Sequence, residues 1–80
     1  MDPDERKLRA FGAAFYIFPE FRNWVRTRAR DLRRQRQDFE IVLVWGRRLF
    51  RAGRVPRGNP YFAIKRSDGS LERSPWAVDP

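Results

Sequence analysis

Neither cysteine nor histidine occurs in this chain. Without them there is no disulfide and no Cys/His zinc cluster, so both common staples of small domains are excluded. The same absences remove the Ser-His and Cys-His nucleophilic pairs. Lysine is scarce too, since sixteen of the eighteen basic residues are arginine. No stretch approaches the roughly 20 apolar residues that span a bilayer, so no transmembrane segment is expected. The opening MDPDERKLR is mixed in charge and leads into no long apolar run. It does not read as a secretory signal, and a cytoplasmic location is expected. There is no P-loop and no Gly-rich dinucleotide turn. The acids show no pairing of a two-metal or glycosidase kind: Asp2 and Glu5 read as a helix cap, Asp68 as a turn residue. No cofactor and no metal are expected.

What the chain does have is aromatic mass. Seven Phe, three Trp and two Tyr make a hydrophobic core credible in 80 residues, read as one small basic domain over 1–80. Asp2-Pro3-Asp4-Glu5 looks like a helix start, and Leu8, Phe11 and Phe15 follow at helical spacing, predicting a first helix to about Tyr16. A buried strand over Ala14–Phe18 is the competing reading, because AFYIF is rich in strand formers. Pro19 and Glu20 suit the start of a second helix. Phe21, Val25, Ala29 and Leu32 mark its buried stripe, with Trp24 widening it, and its end is expected near Arg36 or Gln37. From Phe39 the period changes to two. Phe39, Ile41, Leu43 and Trp45 share one face and Val42 and Val44 the other, as in a central strand. Gly46-Arg47 offers a type II′ turn into a second strand over Arg48–Phe50. RAGRVPRGNP, residues 51–60, reads as a structured loop with Val55 extended before Pro56. Asp68-Gly69 lies between extended segments 61–66 and 71–74, a hairpin signal. The Trp76 tail is expected to fold back on the core. The fold class is therefore α+β, two N-terminal helices packed on a small antiparallel sheet. A winged-helix-like arrangement, with 39–51 as a recognition helix, is the alternative.

Charge is distributed in blocks. Residues 21–37 sum to +6 and 47–66 to +7, separated by an apolar segment of −2, within a net +8. Arginine's rigid five-donor fork suits phosphate and also reads guanine in the major groove. Arg22, Arg26, Arg30 and Arg33, if they form one stripe with Arg34 nearby, can follow a nucleic-acid backbone. Arg47, Arg48, Arg51, Arg54 and Arg57 place a second cationic prong among glycines and a proline. Lys65 and Arg66 follow on a strand. Of the neighbouring pair Tyr61-Phe62, one ring is expected in the core and the other exposed as a stacking platform.

These features predict a nucleic-acid-binding regulatory or architectural protein that contacts DNA or RNA phosphates through the basic helix and the Arg54–Arg57 loop. The reading requires Arg26, Arg30 and Arg33 to share a surface with Arg51, Arg54 and Arg57. One alternative is a small interaction module, an inhibitor or accessory subunit docking on an acidic protein partner, for which Trp, Tyr and Arg are suitable anchors. A homodimer is compatible with either, and attachment of the Trp24 helix to a membrane surface is a third reading. Enzymatic activity is not expected, with one class open. Tyr61, Lys65 and Arg66, near Arg54 and Arg57, have the chemistry to stabilise the charge of RNA cleavage by 2′-OH attack. A helix pair followed by a small sheet resembles the topology of the RelE/ParE toxin superfamily, which implies a metal-independent ribonuclease.

Overall fold

The computed structural model describes residues 3–12, 19–53 and 60–75. Asp2, the Ala14–Phe18 segment, the loop residues Arg54, Val55 and Arg57, and Trp76 lie outside the described residues.

Helix α1 spans Pro3–Arg9, with proline at its first position and Asp4 and Glu5 in the first turn, where negative charge meets the dipole favourably. It is shorter than the predicted helix to Tyr16. The Ala10 N–H is shared between the Arg6 and Lys7 carbonyls, and Phe11 N–H turns back to Leu8. Gly12 then takes φ 64°, a left-handed step past the end of α1.

Helix α2 spans Pro19–Arg34 and buries Phe21, Val25, Ala29 and Leu32, the predicted stripe. Its last helical residue is Arg34 rather than Arg36 or Gln37. Gln37 N–H bonds the Leu32 carbonyl and Arg36 N–H the Arg33 carbonyl, both at 3.0 Å. Such a closure needs a left-handed residue between the helix and the outgoing chain. Here that residue is Arg36, at φ 56°.

Four strands follow: β1 Phe39–Trp45, β2 Arg48–Phe50, β3 Tyr61–Arg66 and β4 Leu71–Arg73. They form one antiparallel sheet of order β2-β1-β3-β4, so β1 is central as its two apolar faces predict. The fourth strand stops at Arg73, one residue short of the expectation. The winged-helix alternative is overturned, because residues 39–45 and 48–50 are strand. The β-branched Ile41, Val42 and Val44 pack on a pleated surface more readily than in a helix. Gly46 at φ 60°, between the closing pair Trp45 and Arg48, forms the type II′ turn.

The β3–β4 turn has three residues, Ser67-Asp68-Gly69. Arg66 N–H donates to the Ser70 carbonyl and Gly69 N–H to the Arg66 carbonyl, and Gly69 at φ 90° supplies the left-handed step. Asp68 accepts from the Ser70 N–H at 2.8 Å. Hydrogen bonds from the Ser70 side chain and backbone hold the Asp68 carboxyl below the usual carboxylate range. With the folded pKa lowered, the contribution to stability is present above the unfolded value and lost as pH falls through the folded one. The Asp68 side-chain carbonyl resonance is therefore expected to titrate below an unfolded-peptide control. Titration at or above the control overturns this account of the turn.

Residues facing each other across antiparallel strands share a side of the sheet. Ile41 opposes Ile64, and Leu43 lies between Phe50 and Phe62. This side carries the helices: Phe11 meets Phe62 edge to face, ring centres 5.7 Å apart. Val42, Val44, Tyr61 and Ala63 occupy the other side and are also buried. Tyr61 and Phe62 are thus both in the core, and the expected exposed stacking ring at this pair does not exist.

Candidate nucleic-acid interface

The short 35–38 connection makes α2 run antiparallel to β1. Its C-terminal turn therefore sits at the end of the sheet where β1 begins, β3 ends and the β3–β4 turn lies. The β1–β2 turn occupies the opposite end, about 20 Å away along seven residues of strand. The two basic blocks start from opposite ends of the sheet.

Internal pairing then divides the predicted arginines. Arg26 bonds Glu5 of α1 at 2.7 Å, and Arg33 forks onto Asp4, with Nη2 at 2.6 Å and Nε at 3.2 Å. Asp4 is only 3% exposed. Arg33 also lies 5.1 Å above the Phe39 ring. Arg22 is half-buried on the same flank of α2. Arg51 pairs with Glu40 at 3.1 Å, and Glu40 belongs to the side of the sheet away from the helices. Arg66 reaches Glu72 at 3.3 Å and also donates to Gln37. Glu72 takes Arg28 as well, and that hydrogen bond raises the Arg28 pKa further above its already high ordinary value. The expectation that Arg26 and Arg33 share a free surface with Arg51 is therefore corrected. All three are held by carboxylates, and Arg51 is joined to the opposite side of the sheet.

The reason is visible in α2 itself. Arg22, Arg26 and Arg33 lie along the flank that meets α1, and Arg28 along the flank that meets β4. Glu20, Asn23, Thr27, Arg30 and Arg34 form the outward stripe, at spacings of three, four, three and four. Arg30 is exposed and has no carboxylate partner among the described residues. Arg34 is 79% exposed at its side chain and approaches Asp31 only at 4.0 Å, a contact of little strength in water. Arg36 is exposed at the end of the same helix. Arg47 is exposed at the β1–β2 turn. Arg48 is exposed on the helix side of β2, since it opposes Trp45. Neither has an ion pair among the described residues.

Lys65 and Arg66 point to opposite sides of β3, and Lys65 faces Glu40 across the strands. Tyr61, on the Lys65 side, is 3% exposed. The three groups named for RNA cleavage do not converge. Among the described residues no group of three or more acids is placed to hold a metal ion, and no helix is long and apolar enough to cross a membrane. Two open depressions flank the α2–β1 connection, one lined by Arg33, Arg36, Gln37, Asp38 and Phe39, the other by Gln37, Asp38, Arg66 and the β3–β4 turn. The chain matches no protein family, no curated protein and no solved structure.

Proposed function

We propose that this protein binds the phosphate backbone of DNA or RNA through Arg30, Arg34, Arg47 and Arg48, in a regulatory or architectural role. The supporting observation is an imbalance on the helix side of the molecule. Asp4, Glu5 and Glu72 are already neutralised by Arg33, Arg26, Arg28 and Arg66, whereas Arg30 and Arg48 keep their charge on that same side. This division shifts the contact set from the nine described arginines named from sequence to four of them. Phosphate contacts supply most sequence-independent affinity, and each releases counterions. The span between the two cation groups, about 20 Å, corresponds to about six base steps of duplex at 3.4 Å each.

Fluorescence anisotropy with a labelled duplex tests the proposal. Four phosphate contacts predict a slope of about −3.6 or steeper in log affinity against log salt. Replacing Arg30 and Arg34 together by glutamine is expected to make it shallower by about 1.8. Arg26→Gln, by contrast, should lower stability and leave the slope alone. No binding to any duplex or single strand at low salt sinks the proposal.

A second reading has one specific observation behind it. Leu49 is exposed on the edge strand, on the side of the sheet away from the helices because it opposes Val44. An exposed leucine on an arginine-rich chain suits an acidic protein surface with an apolar centre. Poly-L-glutamate displacing the duplex at equal charge concentration would favour that reading.

A further inference from the structure

We infer that Arg36 contacts the ligand's phosphate backbone, and that arginine occupies this position in place of glycine for that reason; the inference rests on the nucleic-acid reading above. At φ 56° Arg36 is the one non-glycine residue with left-handed backbone among the described residues. A Cβ there crowds the following carbonyl oxygen, which is why glycine is the usual residue at such helix ends. The backbone closure at the end of α2 needs the left-handed step but not an arginine side chain. The Arg36 side chain is exposed and has no hydrogen bond, ion pair or ring contact among the described residues, in contrast to Arg33, with its fork on Asp4 and its place over Phe39.

Attraction to the negative end of the α2 dipole does not explain it either, because Arg33 and Arg34 already stand in the last turn. The neighbourhood is held in place: Gln37 accepts from Arg66 and donates to Gln35. A strained residue in a well-fixed setting points to function. Arg30 and Arg34 lie in the C-terminal half of α2 and Arg36 stands two residues past its end, so the three can offer cations to one strand. Asp38 lines the same depression as Arg36 and opposes a lone anion settling there. The ligand is a phosphodiester chain passing along α2, not a small free anion.

The test compares wild type with Arg36→Gly and Arg36→Asn, both of which accept left-handed backbone without a charge. Thermal unfolding is combined with anisotropy on a fluorescein-labelled DNA duplex of about 20 base pairs, at about 50 and 200 mM salt. Arg36→Gly should raise Tm by about 4 °C and make the salt slope shallower by about 0.9. Arg36→Asn should show the same loss of slope. An unchanged slope removes Arg36 from the interface while leaving the wild-type binding, and so the proposed function, intact. A lowered Tm in Arg36→Gly shows that the side chain serves the fold and overturns the inference. Inorganic phosphate that raises the Tm of wild type but not of Arg36→Gly reveals a small-anion site and also overturns it. Absence of wild-type binding removes the proposed function and this inference together.

Discussion

Arg33→Ala is expected to destabilise the protein by about 2–3 kcal/mol, more than any other arginine substitution on α2. Removing one member of a buried ion pair typically costs about 3–5 kcal/mol, because the remaining charge is left in a poor solvent. Asp4 is that charge, at 3% exposure, while the Arg33 side chain is 53% exposed. Water at the arginine end lowers the figure towards that of a surface pair. The substitution also removes the guanidinium from the face of Phe39. Urea unfolding measures the loss. A double-mutant cycle with Asp4→Ala should recover part of it, since the double variant no longer buries a carboxylate whose arginine partner is gone. Binding gives a second readout: Arg33 is already neutralised by Asp4, so the salt slope of the folded fraction should not change. A cost below about 0.5 kcal/mol, with a slope shallower by about 0.9, would show Arg33 to be a ligand contact instead.

Phe62→Ala is expected to cost about 3–5 kcal/mol. The ring is 1% exposed and lies at the centre of the sheet, opposite Leu43 and edge-on to Phe11 of the α1 turn. Its removal opens a cavity where the first helix, α2 and β3 meet. A domain of this size has about 4–12 kcal/mol of total stability, so the variant should be largely unfolded or have a far lower urea midpoint. Phe62→Leu, which keeps most of the volume, should retain the fold at a smaller cost. If Phe62→Ala lost under 1 kcal/mol, the packing of α1 on this side of the sheet would be wrong.

The two predictions separate two kinds of positive charge that look identical in the primary structure. Arg33 and Arg30 are three residues apart in one helix, yet one is held by α1 and the other faces solvent. Aromatic content, periodicity and turn chemistry are local properties. They made the α2 stripe, the central β1 and both hairpin turns legible from residues alone. The first helix is shorter than its periodicity suggests, stopping at Arg9 three residues before the left-handed Gly12. Tyr61 was expected as one of two alternating rings with an outer face, but the side of the sheet away from the helices is buried there as well. Nothing local marks Arg36 as left-handed; its backbone conformation is set by how the chain must turn into β1.

By itself the sequence determined an α+β chain with helices first and strands after, a core of rings and branched side chains, and a surplus of arginine without any Cys or His chemistry. Only the tertiary structure decided which arginines keep their charge for something else. Ion pairing depends on which carboxylate from a distant segment arrives within a few ångströms, as Asp4 does for Arg33 and Glu40 for Arg51. Spacing along one helix cannot reveal that.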